Sequence, residues 1–391
     1  MRIAVFTECY HDLNGVGHTY RKLVEYAERK GLKLDMYIPG HGKVDEKGSV
    51  RVIEVMVDIP IEYYPEIFFD AWSVPRHIFD HLPRKVESNF RNENYDVVLL
   101  ATQGSMGLYA LSAARKYKVP LVGSYHTQAS TYAEIRMENF LGHPSGPPLS
   151  LVPKATKELA VKAETYYYSK TLFNFAPTRM ICSMIEERFN RPTEVFRRGV
   201  DIESFNPEKG RPRDGRTVLL VSRLSPEKGI DILKGFKERL PDARLVIVGD
   251  GPDRKRLEQL IPEAEFKGFM TGEALFEEFA SADIFVFPSV TETYGNVVQE
   301  AMASGLPVVL DAGGPSSELV RDGVDGFHYK DANDMFQRLF SLVENGTLCT
   351  KMSGNARDAM EKMTWDSVFD RLYTDLAKAG MMHRDRPHIQ S

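Results

Sequence analysis

The sequence predicts an α/β protein with two domains, each an open and largely parallel sheet flanked by helices. Its 391 residues are enough for two cores of about 150 residues each. In both halves, short apolar runs alternate with longer amphipathic segments, the pattern of β-α-β units. Between the halves, residues 201–215 are rich in proline, glycine and charge, as expected of a hinge.

In the first half, four apolar runs predict strands. They lie at residues 2–7, 33–38, 96–101 and 120–125. A helical pattern over 17–30 separates the first two strands. The aromatic segment 63–72 and the segment 138–152 are candidates for lining an acceptor site, with core and loop as the alternatives.

In the second half, each predicted strand is followed by a loop and a helical pattern. The strands lie at residues 217–222, 244–249, 284–288 and 307–310. We therefore assign residues 1–205 to an N-terminal domain and 206–365 to a C-terminal domain. Residues 366–391 form a last amphipathic helix with a polar tail.

Composition excludes several classes of protein. No stretch approaches 18 apolar residues and the start lacks the features of a signal peptide, so a cytoplasmic protein is expected. Three widely spaced cysteines indicate neither a disulfide framework nor a zinc cluster. The net charge of -5 comes from the second half, while the first is mildly basic. This does not favour nucleic-acid binding, but it suits an anionic acceptor or a lipid surface.

Residues suited to ligand binding cluster at the ends of the predicted strands. Ligands of open parallel sheets bind outside the carboxyl ends of the strands. There the chain carries NGVG (14–17), His126, Arg223 and TETYGN (291–296). Two such edges opposed across a hinge would form one cleft.

In the first half, the candidates are Gly15, Gly17 and His126. Two glycines before a helix allow the backbone to approach a phosphate or sugar, but a plain turn and helix cap explains them equally well. The full G-x-G-x-x-G fingerprint is absent, which disfavours a dehydrogenase. His126 follows a buried strand, where a core histidine with satisfied hydrogen bonds is the alternative to a ligand.

In the second half, Arg223 and Lys228 lie five residues apart on one predicted loop. A guanidinium fork and an ammonium point charge together suit a diphosphate, whereas a solvated surface pair is the alternative. No D-x-D pair occurs in the sequence. We therefore expect no metal, its place being taken by these cations and a helix end.

The segment ETYGNVVQEAMASG predicts a loop with Glu292 and a helix from about Gly295, ended by Gly305 and Pro307. Backbone N–H groups at the start of this helix, together with its dipole, predict an anion site. The residues concerned are Tyr294, Gly295, Asn296 and Val297. Glu292 and Glu300 suit sugar hydroxyl groups, with solvated helix charge as the alternative; apolar neighbours indicate that Glu300 is partly buried.

These motifs together resemble glycosyltransferase family 4, the retaining enzymes with the GT-B fold of two Rossmann-like α/β/α domains facing each other across a cleft. The matching segments are NGVG, SYHT, RRGVDIESFNP, SRLSPEKG, VIVGDGP, ADIFVFPSVTETYGNVVQEAMASGLPVV and GGPSSELVRDGVDGF. The chain is most similar to a branch that contains sulfolipid synthases and mannosyltransferases. It departs from the family pattern at Asn14 and Gln299, where glycine and an apolar residue are common.

The resemblance implies a role for each candidate. Arg223 and Lys228 would hold the diphosphate, Glu300 the ribose and Glu292 the donor sugar. His126 would contact the sugar or reacting centre, and the Gly15 to Gly17 loop the donor phosphate and the acceptor. The last helix would pack back on the first domain.

The implied activity is retaining transfer from a nucleotide sugar, a UDP-sugar or GDP-mannose, to a lipid or saccharide hydroxyl group. We favour a front-face mechanism, because no carboxylate pair is placed as in retaining glycosidases. We expect neither a metal nor a cofactor. Peripheral contact with the inner membrane face is a further expectation. The alternatives are a sugar-nucleotide epimerase, a phosphorylase, or a sugar-nucleotide-binding module without activity.

Overall fold

The computed structural model describes residues 1–12, 14–57, 82–126, 130, 134, 137, 151–211 and 213–384. The candidate acceptor segment 63–72 and most of 138–152 lie outside the described residues. The chain divides into two compact units. Unit 1 contains Met1–Phe196 and Phe369–Ser391, and unit 2 contains Arg197–Val368.

Unit 1 is a sheet with helices packed around it. Its strands are β1 (Arg2–Phe6), β2 (Lys33–Pro39), β3 (Val44–Lys47), β4 (Val50–Val55), β5 (Val97–Leu100), β6 (Leu121–Ser124), β7 (Asn174–Ala176) and β8 (Thr193–Val195). Its helices are α1 (Gly15–Lys30), α2 (Arg84–Asn92), α3 (Ser105–Tyr117), α4 (Leu151–Tyr168) and α5 (Arg179–Phe189). The strand order is β3-β4-β2-β1-β5-β6-β7-β8, parallel except for β3 against β4.

The four strands predicted in the first half are confirmed as β1, β2, β5 and β6. The remaining four strands were not predicted. The three-residue strands β7 and β8 are too short for a periodic pattern, and β3 is an edge strand of largely polar sequence.

Unit 2 is a second open sheet, parallel throughout. Its strands are β9 (Arg216–Val221), β10 (Ala243–Val248), β11 (Glu265–Gly268), β12 (Ile284–Phe287), β13 (Val308–Asp311) and β14 (Gly326–Tyr329). Its helices are α6 (Phe236–Arg239), α7 (Arg254–Leu260), α8 (Glu273–Ala280), α9 (Asn296–Ala303), α10 (Ala332–Glu344) and α11 (Gly346–Met360). A last helix, α12 (Trp365–Arg384), begins in unit 2 and ends in unit 1. The strand order is β11-β10-β9-β12-β13-β14, and it contains all four strands predicted in this half.

The continuous apolar runs of unit 2 arise because its sheet is covered on both faces. Along β9, Val218 and Leu220 enter one core cluster, while Leu219 and Val221 enter the other. β10 and β12 divide in the same alternating way. Successive side chains of a strand point to opposite faces, so two covered faces require apolar residues at every position.

The structure divides the chain between Phe196 and Arg197, whereas the sequence placed the boundary at 205/206. Part of the expected hinge belongs to the unit 2 core, where the Phe205 ring lies 5.4 Å from that of Phe279. The chain returns to unit 1 at Phe369, within α12. There the Phe369 ring lies 5.3 Å from that of Tyr26, whose hydroxyl donates to Asp370.

Candidate functional site

In unit 2, the loops after β9 and β12 carry the charged candidates, and these two strands are neighbours in the sheet. The first loop is anchored because Leu224 N–H donates to the Asp250 carbonyl oxygen at 3.0 Å. Thr291 of the second loop donates through its hydroxyl to the carbonyl oxygen of Glu227 at 3.3 Å. The two loops therefore form one connected edge.

Lys228 and Glu292 meet across these loops. Lys228 is 7% exposed, and its ammonium donates a hydrogen bond to Oε1 of Glu292. The structure thus brings together two candidates from distant parts of the sequence.

Arg223 lies on the same loop as Lys228 but is exposed. Within the described residues its guanidinium makes no ion pair or side-chain hydrogen bond. An exposed arginine without an internal partner fits a ligand contact as well as a solvated charge, so its predicted role in diphosphate binding stays a prediction.

Helix α9 begins one residue later than expected, at Asn296, and it is preceded by Gly295 in the left-handed conformation, with φ 85°. Gly295 has no side chain to accept from the first-turn N–H groups, which leaves those of Asn296 and Val297 for another acceptor. The predicted anion site therefore has an open helix end.

The Tyr294 side chain does not face a ligand site, because it is buried in the core of unit 2 and donates to the Arg198 carbonyl oxygen at 3.3 Å. Only its backbone remains for the predicted donor contact. Gln299 donates through its buried amide to the same carbonyl at 3.1 Å.

Arg198 was not singled out from the sequence beyond its place in RRGVD. Its guanidinium is buried, donates to Oδ1 of Asn296 at 3.2 Å and lies 6.0 Å from the centroid of the Tyr294 ring. Arg198 therefore holds the start of α9 in place.

Glu300 is partly buried, as predicted, but it lacks the partner that a buried carboxylate requires. Across the described ranges its carboxylate makes no hydrogen bond and no ion pair. Burial raises its pKa to about 7. Such a group is poised to accept hydrogen bonds from a ligand.

In unit 1, the NGVG loop is a helix cap. The Asn14 side chain accepts from Val16 N–H at 3.0 Å and from Gly17 N–H at 2.9 Å. A Cβ at Gly17 would lie 2.2 Å from the Cys9 carbonyl oxygen, so packing against this loop requires glycine. These contacts favour the turn-and-cap interpretation, while the predicted ligand contacts of Gly15 and Gly17 stay untested.

His126 is buried directly after β6. Its Nε2 lies 2.7 Å from the Tyr20 hydroxyl and 3.0 Å from the Ser124 hydroxyl. These contacts fix the ring at the carboxyl edge of the unit 1 sheet.

Glu8, Thr102 and Gln103 lie at the same edge and were missed from the sequence. Burial raises the pKa of Glu8 to about 8, although its carboxylate accepts from Thr102 and from Met106 N–H at 2.6 Å. Their position directly after β1 and β5 was the available signal, because ligand-binding residues of open sheets concentrate there.

Comparison with known proteins gives two matching family models. Residues 13–204 match the model described as Glycosyltransferase Family 4, and residues 201–359 match Glycosyl transferases group 1.

Curated relatives align along most of the chain. A GDP-mannose-dependent alpha-mannosyltransferase of Mycolicibacterium smegmatis is 34% identical, over 84% of this chain and 86% of the relative. The sulfoquinovosyl transferase SQD2 of Arabidopsis thaliana is 28% identical, over 97% of this chain and 74% of the relative. An alpha-monoglucosyldiacylglycerol synthase of Acholeplasma laidlawii is 26% identical, over 96% and 97% respectively.

Among solved structures, Anabaena HepE in complex with UDP superposes with a TM-score of 0.69 at 19% identity, over 97% of this chain and all of HepE. At this identity the likeness shows the fold alone. Together with two Rossmann-like sheets, it confirms the predicted GT-B class. No helix in the described segments is both long and apolar enough to cross a membrane.

Proposed function

Because the chain belongs to glycosyltransferase family 4, we propose that it transfers a hexose from a nucleotide sugar to a hydroxyl group of a lipid or saccharide. The relatives' names support both parts, since one names GDP-mannose and another a glucosylated diacylglycerol. The donor we propose is GDP-mannose or a UDP-sugar. For a lipid acceptor, the enzyme would contact the membrane surface peripherally.

The Glu300 carboxylate, which has no partner among the residues that the structure describes, carries this proposal. A partly buried carboxylate without a hydrogen bond destabilises the protein, so a ligand that donates to it recovers free energy on binding. The ribose of a nucleotide offers two adjacent hydroxyl donors. Glu300 lies in the helix whose open N-terminus provides N–H groups for the neighbouring phosphates.

The leaving diphosphate is stabilised by the cations of the first loop. In this proposal the Lys228 ammonium, which bonds to Glu292, adds a point charge at the phosphates, and Arg223 offers a two-pronged contact from an exposed position. Charge that develops on the diphosphate as the bond breaks is then met by preorganised donors. In this proposal Glu292, which bonds to Lys228, accepts from a hydroxyl group of the donor sugar.

We propose transfer with retention at a single face of the sugar. The bond from the anomeric carbon to the diphosphate oxygen breaks, and the acceptor oxygen bonds to that carbon from the same side. The acceptor proton passes to the departing phosphate oxygen. No enzyme carboxylate attacks the sugar in this scheme, unlike in retaining glycosidases.

A two-stage experiment tests this function. Thermal shift with UDP-, GDP- and ADP-sugars identifies the donor, and release of nucleoside diphosphate is then measured with and without diacylglycerol vesicles or methyl glycosides. We expect release to depend on an acceptor. Donor interconversion without release would indicate an epimerase, a requirement for phosphate a phosphorylase, and tight binding without turnover a binding module.

We expect activity to survive removal of divalent metals. The motivation is the pair of cations and the open helix end, which supply the positive charge that a diphosphate needs. Initial rates are to be compared in an excess of EDTA and in added Mg²⁺ or Mn²⁺. A complete loss in EDTA that added metal restores would contradict this prediction.

A further inference from the structure

Gln103 is a buried residue of unit 1 with an unsatisfied side chain. It lies between β5 and α3, and it is 4% exposed. Within the described chain, neither its Oε1 nor its Nε2 has a hydrogen-bond partner. Buried polar groups are nearly always paired, and those that are not require an explanation in function or bound water.

The loop around Gln103 is fixed on both sides. Thr102 binds the Glu8 carboxylate through its hydroxyl, and the Gly104 carbonyl oxygen accepts from the Tyr167 hydroxyl at 3.0 Å. Gly104 has φ 126°, a conformation that other residues rarely adopt. Because both neighbours of Gln103 are held, the loop cannot easily shift to give its amide a partner.

The position of Gln103 in the sheet points to a ligand. β5 lies between β1 and β6, and Gln103 therefore follows the strand that separates those leading to Glu8 and His126. All three residues stand at the carboxyl edge of the sheet, where open parallel sheets bind ligands. This edge already contains hydroxyl and imidazole groups, through the contacts of His126 with Tyr20 and Ser124.

The chemistry of the group narrows the class of ligand. An amide presents one acceptor and two donors without net charge. Hydroxyl groups both donate and accept, so a sugar or polyol satisfies both ends of the amide. A hydroxyl group is also compatible with the Glu8 carboxyl bonded to Thr102, because it can donate to or accept from that carboxyl in either protonation state.

We propose that Gln103 binds hydroxyl groups of a substrate, belonging either to the transferred sugar or to the acceptor. This rests on the proposed function, because it takes the substrates to be a nucleotide sugar and a hydroxyl-bearing acceptor. Gln103 is then a specificity-determining residue of unit 1 whose unpaired amide costs stability in the absence of substrate.

The test is Gln103→Met, which keeps the side-chain length and removes the amide. Removing an unsatisfied buried amide should leave the melting temperature unchanged or raise it. The matched control is Gln299→Met, since Gln299 is equally buried but bonded to the Arg198 carbonyl oxygen. This control should lower the melting temperature.

Two binding arms identify the source of the hydroxyl groups, and neither depends on turnover. Calorimetry of GDP-mannose against GDP, and of UDP-glucose against UDP, measures what the donor sugar adds. Titration of methyl α-D-glucopyranoside, with its tetra-O-methyl ether as a ligand without hydroxyl groups, reports on the acceptor. We expect Gln103→Met to lower the affinity measured in one of these two titrations about 10-fold, the effect of one lost hydrogen bond. The affinities for GDP and UDP should not change.

Three results would overturn the proposal. The first is that Gln103→Met binds both the donor sugar and the methyl glycoside as tightly as wild-type protein does. The second is that wild-type protein gains no affinity from the hydroxyl groups in either titration. The third is a melting temperature lowered as in Gln299→Met, which would assign the amide to an internal water. If Gln103→Met weakens binding in one of the two titrations but wild-type protein shows no glycosyl transfer, the proposed function is rejected and the binding site at Gln103 stands.

Discussion

Lys228→Ala and Arg223→Ala are each expected to lower turnover by about 100- to 1,000-fold, or roughly 3–4 kcal/mol of transition-state stabilisation. Each variant removes a cation from the loop proposed to hold the leaving diphosphate. Because both act on the same developing charge, the double variant should lose less than the sum of the two single losses. Steady-state rates at saturating donor measure the effect.

Stability separates the two residues. Lys228→Ala leaves Glu292 without its ion-pair partner, so it should melt lower than Arg223→Ala, whose side chain is exposed. Lys228→Ala combined with Glu292→Gln should recover melting temperature without recovering turnover. Lys234→Ala, which removes an exposed lysine shortly after the loop, is the matched control and should preserve both.

The leaving-group role fails if either single variant keeps near-normal turnover. It also fails if the Lys228→Ala and Glu292→Gln combination restores activity together with stability, because Lys228 would then act only as a structural partner. For Arg223, near-normal rates would favour the solvated surface charge.

Glu300→Gln is expected to weaken binding of the nucleoside diphosphate by about 10- to 100-fold at pH 8, the loss of one or two hydrogen bonds to a charged group. Burial raises the pKa of Glu300 to about 7, so the wild-type carboxyl is largely protonated at pH 5.5 and ionised at pH 8. Wild-type affinity should therefore exceed that of Glu300→Gln by a margin that grows as the pH rises through about 7. Affinities are measured by calorimetry on both proteins at each pH. Ionisation of the nucleotide affects both proteins equally, so it drops out of the ratio of their affinities.

Without ligand, we expect Glu300→Gln to stabilise the protein at high pH, although the same substitution weakens ligand binding. An acid whose folded pKa is raised costs nothing below its unfolded pKa of about 4.5, and it costs increasingly more up to about 7, because only the unfolded chain is then ionised. Glu300→Gln should thus be more stable than wild type at pH 8, by on the order of 1–3 kcal/mol, and equally stable near pH 4.5. Glu344→Gln, at an exposed carboxyl, should show neither effect.

Glu292→Gln should behave differently, lowering turnover of the sugar donor while nucleoside diphosphate binding changes little. Equal loss of diphosphate affinity in the Glu292 and Glu300 variants would contradict this division of roles. If the difference in affinity between Glu300→Gln and wild type does not change with pH, ionisation of the Glu300 carboxyl does not contribute to nucleotide binding.

Much of the fold follows from local sequence. The strands of unit 2 were identifiable because a sheet covered on both faces leaves unbroken apolar runs bounded by loops. The boundary between the two units was harder to predict from the sequence. The segment 201–215 is polar enough to resemble a hinge, yet Phe205 within it is anchored in the unit 2 core by contacts with distant residues.

The candidate site shows the same limit. Its charged residues were found because ligand-binding groups follow parallel strands, a regularity that the sequence displays directly. What each side chain contacts was not visible in the same way, since Lys228 and Glu292 become partners only because β9 and β12 are neighbours in the sheet. Likewise, Asn14 uses its side chain for a helix cap, although its motif also fitted a phosphate loop.

The sequence by itself therefore determined the two α/β units, the family and the chain segments that carry the chemistry. These depend on local periodicity and on motifs that are contiguous in the chain. Only the tertiary structure decided that the partly buried Glu300 carboxylate and the Gln103 amide have no hydrogen-bond partner within the described residues, and that Arg198 supports the start of α9. Burial and pairing depend on residues far apart in sequence, and no local pattern encodes whether a polar group will find its partner once the chain is folded.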